Sequence, residues 1–195
     1  LRSCSSNSDF TEEKKVKALL IVDVQNDFCP GGALAVPAGD SVVPVINRML
    51  TYFDVVVASK DWHPPKSVHF DTWPPHCIQN TGGAEFHPQL QSDRIQQVFI
   101  KGTRDKDDGY SAFEATNLDL CTYLKGRNVT DLYITGLATD YCVKASALDA
   151  TKNGFHTRVV TDAVAAVNVK PDDGKNALDE MQRAGITLLE SSHIR

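Results

Sequence analysis

Cys142 stands in the run GLATDYCVKASALDATKNG, where a strand exit meets the start of a helix. A thiol in that place is a candidate nucleophile. Thr139 or Asp140 can cap the helix, which puts Cys142 in the first turn, where unpaired backbone N–H groups and the helix dipole favour thiolate over thiol. The amides of Ala138 and Cys142 are suited to hold the oxyanion formed when sulfur attacks a carbonyl. Two charged residues at other strand ends complete such a centre: Lys101 would stabilise the thiolate by charge, and Asp23 could take its proton. Each residue alone also has a plain structural reading. A free cysteine is commonly a small core hydrophobe, acids often close strands, and most lysines are solvated. An acid, a lysine and a thiol at matching strand ends weigh toward catalysis.

A second constellation lies in Asp61-Trp62-His63 and Trp73-Pro74-Pro75-His76. Asp61 and His63 project to the same side of an extended backbone, and the paired prolines restrict the chain that presents His76. One carboxylate and two imidazoles suit a single divalent ion, zinc first, with iron or manganese as alternatives, and leave positions open to water or a substrate atom. His69 reads as a fourth ligand or as a partner to one of the three. Such pairs also arise by chance, and loop histidines are often merely solvated. His87, His156 and His193 read as surface or packing residues.

Bringing these groups together demands strands that end side by side. Short apolar runs at Lys17–Asp23, Asp54–Ser59, Gln97–Lys101, Asp131–Thr135, Thr157–Thr161 and Ile186–Leu189 predict six buried strands. Helical spacing lies between most of them, at Ser41–Thr51, Asn117–Gly126, Tyr141–Asn153 and Asp173–Ala184, with Gly126, Gly154 and Gly185 at helix stops. Continuous apolar runs separated by helices predict an α/β domain, a parallel sheet covered on both faces. In such sheets ligands bind beyond the carboxyl ends of the strands, where Asp23, Asp61 with His63, Lys101 and the approach to Cys142 all fall. The Pro- and His-rich stretch from Asp61 to Pro88 lacks periodicity, and long irregular insertions in a compact domain are usually functional.

The chain of 195 residues is long enough for one domain with a substantial core. Its 42% apolar and 23% charged residues are globular in kind. A net charge of −5 without a basic block argues against nucleic acid and anionic membranes as partners. The longest apolar run, Ala18 to Val22, is far too short to span a bilayer. Residues 1–15 are polar, without a secretory-type apolar stretch, and are set apart as a tail from a domain over residues 16–195. Five irregularly spaced cysteines do not suggest a disulfide framework and point to a reducing, intracellular, cytoplasmic setting. A homo-oligomer is left open.

The motifs LLIVDVQNDFCPGGALAVPAGD, SKDWHPPKSVHF, WPPHC, the KG dipeptide with YSAF beyond it, and GLATDYCVKAS fall in order between residue 17 and about residue 162. Together they resemble the nicotinamidase/pyrazinamidase branch of the isochorismatase-like cysteine hydrolases. The resemblance implies a single three-layer domain with a six-stranded parallel sheet in the order 3-2-1-4-5-6. It implies a catalytic triad of Asp23, Lys101 and Cys142, an oxyanion hole from the Ala138 and Cys142 amides, and a cis peptide at Leu137–Ala138. Metal ligation falls to Asp61, His63 and His76, with His69 near or on the ion, and Phe28, Trp73 and Tyr110 surround the substrate ring. The implied reaction converts nicotinamide to nicotinate and ammonia through a thioester, a step of NAD salvage, with pyrazinamide as a further substrate. One departure is the charged stretch TRDKDDG between Gly102 and Tyr110, which alters the expected pocket mouth. Two alternatives stand beside this reading: a sister hydrolase of N-carbamoyl or ureido substrates, whose relatives generally lack the DxH…H ligands, and a non-enzymatic binding module on the same fold.

Overall fold

Runs rich in Val, Ile and Leu make strands whose alternation feeds two separate cores. In a computed structural model, which describes residues 15–195, β1 (Val16–Val22), β2 (Val55–Asp61), β3 (Gln97–Lys101), β4 (Val129–Leu137), β5 (His156–Ala165) and β6 (Thr187–Leu189) form one sheet. The expected tail, apart from Lys15, lies outside the described residues. The strand order is β3-β2-β1-β4-β5-β6 and every pairing is parallel, as the resemblance implies. Along β1, Ala18, Leu20 and Val22 enter one core while Leu19 and Ile21 enter the other. The first core is closed by α2 (Leu120–Lys125), α3 (Lys144–Lys152) and α4 (Asp173–Arg183) through Leu124, Ala147 and Met181. The second is closed by α1 (Val42–Met49) through Ile46 and Met49. Both faces are therefore covered. Among the described residues no helix is long and apolar enough to cross a membrane.

Two helices differ from the spacing-based expectation, each for a local reason. α2 begins three residues late because Asp119 caps it, its Oδ1 accepting from the Thr122 N–H at 2.6 Å. Asn117 instead fastens to β3, accepting from the Ile100 N–H at 2.9 Å and donating to the Val98 carbonyl at 3.0 Å. Before α3 the chain makes one wide π turn, Thr139–Val143, so Cys142 sits ahead of the regular helix. Neither Thr139 nor Asp140 caps it. The Asp140 carboxylate accepts from the N–H groups of Val167 and Asn168 at 3.0 and 2.9 Å, tying the nucleophile turn to the chain after β5.

On β4, Gly136 pairs with Val22 of β1 and has φ +105°. A Cβ there would lie 2.0 Å from the Val22 carbonyl oxygen. No L-residue fits both the conformation and the space. Gly136→Ala is therefore expected to cost roughly 3 kcal/mol or more, lowering the melting temperature by about 6–12 °C for a domain of this size. Thermal denaturation followed by circular dichroism checks this.

Candidate active site

Strand register brings the charged groups together. Asp61 and Lys101 close β2 and β3 as direct partners across the sheet, and Asp23 follows β1 with φ +49°. All three side chains are buried. The Lys101 Nζ lies 2.8 Å from Asp23 Oδ2, donates to Asp61 Oδ1 and to the Gly109 carbonyl at 2.6 Å, and stands 3.6 Å from Cys142 Sγ. One ammonium thus touches the thiol and both acids.

The two carboxyls are driven in opposite directions. Burial raises Asp23 to about 6 even though Lys101 opposes the shift, and Ser59 Oγ donates to its Oδ1 at 2.7 Å. Burial also acts to raise Asp61, but Lys101 and His63 outweigh it and hold that carboxyl well below the usual range. Burial tends to discharge Lys101, whereas its two acidic neighbours keep it charged far above the ordinary lysine value. The thiol departs from the sequence expectation. Burial, with the carboxylates of Asp23 and Asp61, pushes Cys142 well above a normal cysteine despite Lys101. The sulfur is thereby held toward its protonated form, so the proton must leave as the sulfur reacts.

Beside this group stand the imidazoles. A ring nitrogen of each of His63, His69 and His76 lies within 4.8 Å of the others. Asp61 Oδ2, the oxygen turned away from Lys101, is 3.6 Å from His63 Nε2 and 3.9 Å from His76 Nε2. His76 Nδ1 meets the Pro74 carbonyl at 2.8 Å, which places a proton there and leaves Nε2 as a lone-pair donor. Both ring nitrogens of His63 are buried without a hydrogen-bond partner. Orphaned buried nitrogens beside a free carboxylate oxygen are the pattern of a ligand set, so the residues fit a divalent metal ion. Gly102, φ +65°, keeps this set compact, since a Cβ there would meet His63 Cε1 at 2.5 Å.

One cavity joins the two groups. Cys142, Ala138, Asp61, His69 and His76 all line it, with Phe28, Trp73 and Tyr110 as aromatic walls. His63 sits behind this lining. Phe28 packs on His76 with ring centroids 5.3 Å apart, and Trp73 Nε1 donates to the Tyr110 hydroxyl at 3.1 Å. The Leu137–Ala138 peptide is cis. Every residue expected from the sequence thus reaches the same neighbourhood.

Other contributors were not read from the sequence. Tyr141 joins the walls, edge-on to Trp73 at 5.0 Å. The Gln25 amide clamps the Asp61 backbone: Nε2 donates to its carbonyl and Oε1 accepts from its N–H, both at 2.8 Å, and Nε2 also donates to the Ala84 carbonyl at 2.8 Å. Asp27 Oδ2 accepts from the Cys77 N–H at 2.7 Å, securing the chain next to His76. The available signal was the polar triplet Gln25-Asn26-Asp27 two residues beyond the largely apolar strand β1.

The chain matches the isochorismatase domain over residues 17–192. It is 42% identical over 201 residues to a nicotinamidase of Escherichia coli strain K12, spanning 88% of this chain and 93% of that one. The solved pyrazinamidase of Pyrococcus horikoshii in complex with zinc is 43% identical, with a TM-score of 0.81 over 89% of this chain and 98% of the other. PnC1 from L. infantum in complex with nicotinate is 37% identical, with a TM-score of 0.85 over 91% of this chain and 94% of its own. The chain belongs to the isochorismatase family, in its nicotinamidase/pyrazinamidase branch.

Proposed function

We propose that this chain is an amidohydrolase that converts nicotinamide to nicotinate and ammonia, with Cys142 as nucleophile and a divalent ion held by Asp61, His63 and His76. The observation that carries this reading is the single cavity lined together by the Cys142 thiol, Asp61 and His76. A small planar amide held in it presents its carbonyl carbon to sulfur. The aromatic walls of Phe28, Trp73 and Tyr110 suit a flat ring, and a fixed ring turns orientation into rate. When bound, the ion supplies a Lewis-acid contact for a ring nitrogen, and the zinc complex of the Pyrococcus relative supports zinc as that ion. The nicotinate complex of the L. infantum relative supports the product. Pyrazinamide, with a ring nitrogen in the same position, is expected as a second substrate.

In the first half-reaction Asp23 takes the Cys142 proton as sulfur bonds to the carboxamide carbon. Lys101, 3.6 Å from the sulfur, favours the anionic form that develops there. The carbonyl electrons move to oxygen, where the Ala138 and Cys142 amides hold the charge. On collapse the C–N bond breaks, and the Asp23 proton passes to the departing nitrogen, which leaves as ammonia. In the second half Asp23 takes a proton from water, whose oxygen attacks the thioester. The C–S bond breaks, sulfur recovers a proton from Asp23, and nicotinate is released. This chemistry needs a free thiol, and the four cysteines of the described residues are unpaired, which supports an intracellular, cytoplasmic setting.

Cys142→Ala is expected to lower ammonia release from nicotinamide by on the order of 10⁴-fold or more while the protein melts near the wild-type temperature. A coupled ammonia assay decides it, and retained turnover would refute the reading. Because Asp23 must be ionised to accept the thiol proton and its carboxyl is raised to about 6, kcat/KM is expected to rise with pH through that region and level off above it. A pH–rate profile shows the limb. Dialysis against a chelator is expected to reduce kcat/KM by on the order of 10²-fold, with stoichiometric zinc restoring it; a metal-free, fully active protein would refute the role of the ion.

A further inference from the structure

The charged stretch Thr103–Gly109 runs from β3 to Tyr110, and apart from the Gly109 carbonyl on Lys101 it has no part in the chemistry above. Its acids nevertheless grip the histidine loop. Asp105 Oδ1 accepts from the Val68 N–H at 2.8 Å, and Asp107 Oδ1 meets His69 Nδ1, one residue on, at 2.8 Å. The same Asp107 oxygen accepts from the Tyr110 hydroxyl at 3.2 Å, and Tyr110 in turn accepts from Trp73 Nε1 at 3.1 Å. A carboxylate only accepts, so the directions of this chain are settled: the indole donates to Tyr110, Tyr110 donates to Asp107, and His69 donates from Nδ1. Placing the His69 proton on Nδ1 leaves Nε2 as its lone-pair nitrogen. The ring is stacked on His63, centroids 4.5 Å apart at 14°, within the cluster of imidazole nitrogens. Asp107 itself is half exposed and touches neither the thiol nor the aspartate pair, so it works from outside the cavity.

We propose that Asp107 is a positioning residue, an outer partner that selects the Nδ1–H form of His69, aims Nε2 into the histidine set as a further donor to the ion, and fixes Tyr110 against Trp73. The loop is thus the strap that joins metal set and ring wall. This inference rests on the metal site proposed above. Hydrogen-bonded acceptors behind histidine ligands typically hold a factor of 10–100 in metal affinity. The test is zinc affinity by competition with a chromogenic chelator, together with KM and kcat for nicotinamide. Asp107→Ala is expected to weaken zinc binding by about 10–100-fold and to raise KM several-fold with a smaller change in kcat. Asp107→Asn, which retains an acceptor oxygen, is expected to recover most of both, and Asp108→Asn, which removes a charge from the same loop, to leave both at wild-type values. Equal zinc affinity and KM in wild type and Asp107→Ala would overturn this proposal alone. A parallel fall in Asp108→Asn would assign the effect to charge rather than position and overturn it as well. A wild-type protein that takes up no zinc would overturn the metal site and this inference with it.

Discussion

A lysine ammonium with no exposure to solvent is tolerable only beside anions, and Lys101 has two. Removing one member of such a buried set typically costs about 3–5 kcal/mol, because the remaining charges are left without compensation. The arrangement is fixed by the sheet. Lys101 and Asp61 are register partners on β3 and β2, and Asp23 leaves β1 next to them, its N–H held by the Ser59 carbonyl at 3.3 Å. The thiol, Asp23 and Asp61 therefore share one cation, and none can shift without disturbing the other two.

That shared cation does not make its two acids alike. Asp61 receives help from Lys101 and His63 together and stays ionised, while burial dominates at Asp23 and brings it into the range where a proton is readily exchanged. Two carboxyls pushed apart by their surroundings can divide the labour, one staying a permanent anion toward the imidazoles and the other moving protons at the sulfur. The division extends to single atoms, since Asp61 turns Oδ1 to Lys101 and Oδ2 toward His63 and His76.

The sheet was legible because its strands are apolar on both faces, a pattern that surface strands do not show. The centre was legible because a rule about parallel sheets converts strand ends into one location, and Asp23, Asp61, Lys101 and Cys142 all obey it. Residues acting through tertiary hydrogen bonds left no periodic trace. Asp107 is one acid among several in a polar loop, and Gln25 becomes meaningful only when Asp61 arrives from 36 residues away. The helix cap expected at Thr139 or Asp140 failed for the same reason: the Asp140 carboxylate is claimed by Val167 and Asn168, distant in the chain. Local preference was read correctly in type, but a nonlocal partner overrode it.

The Gln25 amide fastens a strand end and a loop at once, with each of its polar atoms committed. Both of its acceptors are main-chain carbonyls, which any residue type presents, so this attachment is indifferent to the side chains of the segment it secures. Position 25 carries the opposite burden. A glutamate of the same shape would set an anion against two carbonyl oxygens, so an isosteric exchange that looks conservative on paper would undo this attachment.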